Sequence, residues 1–584
     1  MILGKKKLRR CAIFLFFDKD GIVDDYICHM LEDLRNSVEY ILVISNGYVE
    51  RSGLQKLKRA ADDVYCRANL GLDVGGYREG LFYIGFKKLA EYDEVVMLNY
   101  TFFGPLYPFS EMFDTMAERD VDFWGITKHH KVDPAPFGML PYGYLPEHIQ
   151  SFFMVLRPSL FLSYQYKDFI FNMQNPVSYQ KSIVEYETIF TKHFEDFGFT
   201  WDVYVNTDEY ERYAYCPNMF YIKEMIEKKR CPMIKRRSFF TDYSDFLLNS
   251  CGETSIDAYE YIRENLDYSE DEIWDNILRL ENISDVHRDM HFNYMLPKYG
   301  NGNGRVSEGK TAVLIAVEWT GRLNWYKRFL KEIPSWADVY LLGSNRQLCE
   351  EVAQVVKSCI RNPLQKVECE IKDYLEILRT MERIGSNGYT YVGILYLQNV
   401  EKCKPYSNDV SWQFRDWENM LGSAEYVDNL LEVFQQNLRL GMMIPPVPDF
   451  GRLFADLGDG WMNRYEDTLE LLKNLKIRIN VRETSAPLTP IGGSFWIRSE
   501  VLKKMHEYLQ MNVKTDFQTV LLALPFLVQK TGFYTGVAYS EEYASVAITN
   551  QDYMFRETNK VIFDKYGANF HNVCVQNIKN DAFV

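Results

Sequence analysis

The chain has 584 residues, too many for one hydrophobic core, since single cores stop growing near ~250–300 residues; two large domains are expected. Its net charge of -15 excludes a general nucleic-acid binder, which needs clustered Lys and Arg against phosphates. Its 11 cysteines are scattered, odd in number and without a CxxC pair, which argues against a disulfide framework or structural zinc and for reduced thiols.

The basic opening GKKKLRR (4–10) is short. It suits a solvated tail or a weak contact with anionic lipid headgroups, worth about 1 kcal/mol per basic residue near the surface. The apolar run CAIFLFF (11–17) falls far below the ~20 residues of a spanning helix. The following DKDGIVDDY is no signal-peptide cleavage site, so a buried strand of a cytoplasmic chain is expected. Residues 23–37 then have helical spacing. A second strand, YILVIS (40–45), leads into a helix over 50–61, and a third, DVYCRAN (63–69), into a helix over 78–92. EVVMLN (94–99) is the fourth strand. Short apolar runs alternating with amphipathic helices predict βαβ units and a parallel sheet. Such sheets bind ligands beyond the carboxyl ends of their strands, which marks Asp18, Asn46, the 67–80 stretch and Asn99.

The 67–80 stretch, RANLGLDVGGYREG, holds four glycines. Glycine supplies φ > 0, close backbone approach and unobstructed N–H groups, all of which a nucleotide diphosphate uses. Gly71, Gly75 and Gly76 stand just before the predicted helix, whose N-terminus favours anions; a tight turn with a helix cap is the plainer alternative. The spacing is not GxGxxG and follows the third strand, which disfavours a nicotinamide-dependent oxidoreductase. From Tyr210 the pattern turns helical, with surface helices expected over 256–266 and 270–283. KYGNGNGRVSEGK (298–310) has no apolar period and reads as a linker. The expected division is 1–297, with a helical extension over about 211–297, then 298–310, then an α/β domain over 311–584. TAVLIAVEW (311–319), ADVYLLGSN (337–345) and YVGILYLQN (391–399) repeat the order of the first half loosely, which predicts a weak duplication.

In the first half the stretches RANLGLDVGGYREGL, VVMLNYTFFGPLYPF, DVDFWGITKHH, HIQSFFMVLRPSLF and YETIFTKHFEDFGF occur in order. In the second, WENMLGSAEYVDNLLEVF, LGMMIPPVPDFG, PIGGSFWIRSEVL and ALPFLVQKTGFYTG follow. In order and spacing the chain resembles the rhamnan synthesis protein F family of bacterial polysaccharide rhamnosyltransferases over nearly its whole length. The resemblance implies an α/β fold with a GT-A-like nucleotide-binding N-terminal domain. It implies an inverting rhamnosyltransferase that moves L-rhamnose from dTDP-β-L-rhamnose to a growing lipid-linked rhamnan of the cell wall or surface. Other polysaccharide-synthesis proteins are then expected partners, and the inner face of the cell membrane the expected location. The alternative is a non-catalytic scaffold of a polysaccharide machine.

The family reads Asn-Asp-Ser where this chain has Asn99-Tyr100-Thr101, so the usual metal carboxylate is missing. Any Mg or Mn is expected to be weakly held, with only the neutral oxygens of Asn99 and Thr101 at the strand end and Asn99 a weak candidate ligand, since magnesium prefers one or two carboxylates plus phosphate. The donor set is expected to be Asp18, Asn46, Arg67, Asn69, Gly71, Asp73, Gly75, Gly76, Arg78, Asn99 and Thr101, with Arg67 and Arg78 carrying the charge of the leaving diphosphate. Inversion needs a carboxylate base. Asp73, Asp122, Glu185 and Glu187 are available; YETIF opens a helix and matches an acidic position of the family, which puts Glu187 first. Trp124, His148, Gln150 and Ser151 are expected to receive the acceptor, with His148 and Gln150 on one face of a strand and Ser151 on the other. KHH (128–130) is too loosely placed for a metal site. In the second half GILYLQNVEK offers no acidic strand end, and ECEIKDYLEIL stands where the glycine-rich stretch would be. A degenerate transferase-like domain for acceptor or partner binding is favoured there over a second active site, with Gly492, Trp496 and Arg498 lining its groove.

Overall fold

The computed structural model describes residues 8–134, 141–300, 309–399, 407–450 and 460–581. The start of the basic opening and residues 301–308 of the expected linker lie outside them. The chain forms two compact units, one running to Asn276 with Val575–Val584 counted in it, the other Ile277–Cys574. The division thus falls ahead of the expected boundary. Strand Asn293–Leu296, assigned by sequence to the first domain, pairs in parallel with Tyr534–Ser540 of the second unit. That partner is more than two hundred residues away, and no local pattern announces it.

In the first unit β1 (Arg10–Phe16), β2 (Tyr40–Ser45), β3 (Asp63–Cys66) and β4 (Glu94–Asn99) are mutually parallel. They are joined by α1 (Asp25–Arg35), α2 (Arg51–Ala60) and α3 (Leu72–Ile84). β1 and β4 are buried throughout, which is why they read as unbroken apolar runs. The shorter strands β5 (Phe102–Phe103), β6 (Phe123–Gly125), β7 (Lys128–His129), β8 (His148–Ile149), β9 (Phe153–Leu156), β10 (Trp201–Val203) and β11 (Ile234–Lys235) follow. The main sheet runs β10-β6-β9-β4-β1-β2-β3, with β9 antiparallel to both neighbours; β5–β11 and β7–β8 form small antiparallel pairs.

α3 begins six residues before the predicted helix, so Gly75, Gly76 and Gly80 lie inside it. Each glycine in a helix interior costs about 1 kcal/mol against alanine. Packing explains their presence. A Cβ on Gly76 would stand 2.1 Å from Leu15 Cδ1, one on Gly80 2.6 Å from Ile13 Cγ2, and one on Gly75 2.2 Å from the Leu70 carbonyl oxygen. Gly76 and Gly80 let the helix lie directly on β1, and Gly75 lets the Leu70 carbonyl close on the helix start.

The second unit holds β12 (Asn293–Leu296), β13 (Thr311–Val317), β14 (Asp338–Leu342), β15 (Gln365–Val367), β16 (Tyr391–Leu397), β17 (Leu440–Ile444), β18 (Phe495–Arg498) and β19 (Tyr534–Ser540) in the order β12-β19-β17-β18-β16-β13-β14-β15. With β12 set aside and the strands of each main sheet numbered in chain order, both sheets read 7-5-6-4-1-2-3. In both, the sixth strand is antiparallel to its neighbours. The loose sequence duplication is a full duplication of topology. Among the described residues no helix is long and apolar enough to cross a membrane.

Candidate active site

At the carboxyl ends of β1, β2 and β4 the first unit opens into two adjoining cavities of about 210 and 290 Å³. Asp73, Thr101, Ser151, Tyr179, Ile183 and Glu187 line both. The first lobe runs along α3, past Asn46, Asn69 and Arg78, to an apolar wall that includes Met97, Met154 and Phe190. The second runs toward β8 and β11, past Asn99, His148, Gln150 and Lys235.

The start of α3 is built by its neighbours. Gly71 caps the helix at φ +76° with Asn175 packed against it, and among the described residues no side chain hydrogen-bonds to the first helical N–H groups. Leu72 also has positive φ, +51°, unusual for a residue with a Cβ. Arg67 braces this turn: its guanidinium donates to Glu79 at 2.6 Å, to the Leu70 carbonyl at 2.5 Å and to Asn46 Oδ1. Asn46 in turn donates to the Leu72 carbonyl at 3.0 Å.

Two carboxylates face the shared space. Asp73, on the first turn of α3, accepts from Asn99 Nδ2 at 2.8 Å. Burial pushes its carboxyl up to about 6, the Asn99 hydrogen bond pulls down, and the Glu187 charge adds a smaller upward push. Glu187 closes a π-helical turn, Ile183–Glu187, and accepts from the Ser151 hydroxyl. Single π-turns inside helices are frequent at functional sites. Asn99 Oδ1 accepts from Thr101 N at 3.1 Å and Thr101 Oγ1 at 2.7 Å, so the end of β4 is closed on itself. Tyr100, where the family carries Asp, packs against Phe16 and Phe17 and lies under the Arg236 guanidinium.

The family model of rhamnan synthesis protein F matches residues 41–517, most of the chain. The chain belongs to that family. A curated relative, an uncharacterized protein of Sinorhizobium fredii, is 25% identical over 193 residues; the match covers 32% of this chain and 46% of that protein, so the chain spans about half the relative's length. Solved structures with some likeness include core-mannan synthase A of Aspergillus fumigatus in an Mn/GDP form, at 10% identity, covering 29% of this chain and 63% of that one, TM-score 0.20. Glycosyltransferase GlyE of Streptococcus pneumoniae matches at 10% identity over 74% of this chain and 99% of its own, TM-score 0.24. Likeness at such scores decides nothing about function; the family match does not depend on it.

The structure brings Asn46, Asn69, Asp73, Arg78, Asn99, Thr101, His148, Gln150, Ser151 and Glu187 onto one cleft. Others expected there stand elsewhere. Asp18 closes its own turn, accepting from Asp20 N and Ile22 N, and does not line the cleft. Gly75 and Gly76 face Leu70 and Leu15 rather than a ligand, and Arg67 is spent on the turn. Asp122 accepts from Ser159 at 2.6 Å and Thr200 at 2.8 Å; burial pushes its carboxyl upward, but these hydrogen bonds together hold it below its ordinary value. Trp124 is fully buried and donates to Glu94 at 3.1 Å, within an ion cluster that also holds Arg10 and Arg157. Both are fold residues. Glu185 is an exposed partner of Lys181. β8 ends at Ile149, so strand alternation fails and His148, Gln150 and Ser151 all line the second lobe. Lys128 pairs with Glu147 and Asp208. In the second unit Trp496 is buried on the Met420 carbonyl, and Arg498 donates to the Leu440 carbonyl, so neither lines a groove. Sequence reasoning missed Tyr179, Lys235 and Arg237. The run KRR at 235–237 was the visible signal for the last two.

Proposed function

We propose that this chain is a glycosyltransferase of polysaccharide synthesis that moves L-rhamnose from dTDP-β-L-rhamnose to a growing lipid-linked rhamnan with inversion. One observation carries this: two carboxylates, Asp73 and Glu187, share a cleft at the carboxyl edge of a parallel sheet, beside a helix start that no side chain caps among the described residues. The dTDP diphosphate would meet the α3 N-terminus, where N–H groups and the helix dipole favour anions. Asn46, Asn69 and Arg78 would flank the nucleotide along the first lobe. The apolar wall of Met97, Met154 and Phe190 suits the methyl group of a 6-deoxy sugar.

Glu187 would take the proton from the acceptor hydroxyl as its oxygen bonds to the anomeric carbon. The bond from that carbon to the phosphate oxygen breaks, and the nucleoside diphosphate leaves with the electron pair. The Ser151 hydroxyl orients the Glu187 carboxylate for this. His148 and Gln150 would hold the acceptor from the second lobe. A divalent ion fits only in part. Asn99 Oδ1 is occupied by Thr101, which leaves Asp73, on the first turn of α3 and hydrogen-bonded to Asn99, as the carboxylate there, and among the described residues no three His, Cys, Asp or Glu side chains cluster for a metal. Mg or Mn, held by Asp73 and mainly by the donor's phosphates, would supply charge neutralisation at the leaving group. The second unit would present the acceptor or another polysaccharide-synthesis protein, and the chain would work at the inner face of the cell membrane.

The test is transfer by the full chain from dTDP-rhamnose to a defined short rhamnoside, read by mass spectrometry. Addition of rhamnose units supports the proposal. Donor binding with no transfer would turn the protein into a scaffold.

A further inference from the structure

An inverting transfer leaves a nucleoside diphosphate whose charge must be met as the bond breaks. The arginines expected to meet it are committed: Arg67 is neutralised by Glu79, and Arg78 donates to the Met173 carbonyl and to Asn175 at 2.6 Å. The second lobe carries two other permanent cations, Lys235 and Arg237. Both are delivered by β11. Ile234 and Lys235 pair with Phe103 and Phe102 just after the end of β4, and Arg236 N donates to the Thr101 carbonyl at 3.1 Å. This ladder fixes the basic run beside Asn99, Thr101 and Asp73.

Lys235 has a setting that a structural lysine does not need. Its ammonium lies 4.7 Å from the centre of the Phe152 ring, and among the described residues it has no ion pair. Arg237 donates to Thr241 at 3.1 Å and reaches Tyr179, which lines both lobes. Burial, ahead of every charge effect, keeps His129 and His148 beside them low, the former at about 3, so the imidazoles add no competing positive charge at neutral pH. We infer that Lys235 and Arg237 complete, with the α3 N-terminus, the clamp that binds the diphosphate of the donor, and that they carry its charge as it leaves. This rests on the transferase reading above and assigns the leaving-group site within it. The two cations line the same lobe as Glu187 and Asp73, so they would also offset the repulsion between those carboxylates and the phosphates.

The experiment is calorimetric titration of the full chain with dTDP, inorganic diphosphate and thymidine, all in EDTA. Lys235→Met, Arg237→Gln and Lys235→Arg are compared with wild type. Hydrogen bonds to charged groups predict that Lys235→Met weakens dTDP and diphosphate about tenfold or more and leaves thymidine unchanged, while Lys235→Arg restores most of the affinity. Arg237 is exposed, so Arg237→Gln should fold and should also weaken dTDP even if Lys235→Met does not fold. Wild-type dTDP affinity in both Lys235→Met and Arg237→Gln would overturn the clamp while leaving the transferase intact. A wild-type chain that binds none of the three probes would overturn both.

Discussion

The two units share one strand order and differ at one corner of it. In the first, the helix after the third strand starts at Gly71, with no side chain on its first N–H groups among the described residues, and its first turn lines a cleft. In the second, the matching helix, Tyr374–Gly385, starts at Asp373, whose carboxylate accepts from Leu375 N at 3.0 Å and Glu376 N at 3.4 Å. Next to this cap Tyr374 donates to the Gly493 carbonyl at 2.6 Å and meets Phe517 edgewise, and Phe517 also meets Tyr396. An anion would find its N–H groups taken and a negative charge in its place. The same strand order therefore gives a helix start that borders a cleft in one unit and a helix start capped by its own carboxylate in the other, and a few residues make the difference.

The largest break expected from that contrast is at the base. Glu187→Gln should keep dTDP-rhamnose affinity and lose about 10²–10⁴-fold in turnover, since the amide cannot take the proton. A near-normal turnover number would move the chemistry elsewhere, the second unit included. Next comes the buried charge of Asp73. Burial raises its carboxyl from the ordinary 3.8 to about 6, so the folded state holds the proton more tightly. Ionisation then costs stability above pH 6, up to about 3 kcal/mol, and the cost fades as pH falls toward 4. Asp73→Asn should be more stable than wild type in urea melts at pH 7.5 and no more stable at pH 4; a pH-independent difference would contradict the burial.

Gly75→Val tests what the helix glycines are for. Its Cβ must overlap the Leu70 carbonyl, so stability should fall by roughly 1–3 kcal/mol, with nucleotide affinity falling as the start of α3 shifts. An unchanged melting temperature with lost affinity would instead return Gly75 to the ligand face. The smallest effect belongs to the second unit. Asp373→Ala removes a helix cap and should cost about 1 kcal/mol without creating nucleotide binding.

Most of the first sheet was legible because buried central strands leave unbroken apolar runs, as in 11–17, 40–45 and 94–99. The strand-end rule then led to Asn46, Asp73 and Asn99. What stayed hidden depends on distant partners. Whether a glycine faces a ligand or a strand is decided by Leu15 and Ile13, sixty residues earlier. Trp124 and Asp122 look like site residues until Glu94 and Thr200 are seen to hold them. Lys235 and Arg237 reach the cleft through the β5–β11 pairing, which spans more than a hundred residues. Asp373 was visible in ECEIKDYLEIL, but its meaning as a cap required knowing where the helix starts.

The central claim is that one of two like-built units holds the nucleotide. Hydrogen–deuterium exchange of the full chain with and without dTDP tests it most directly. Protection is expected at 70–75, 99–101, 183–188 and 234–237, with none at 373–377 or 491–496. Protection at the strand ends of the second unit, with the first unit unchanged, would contradict it.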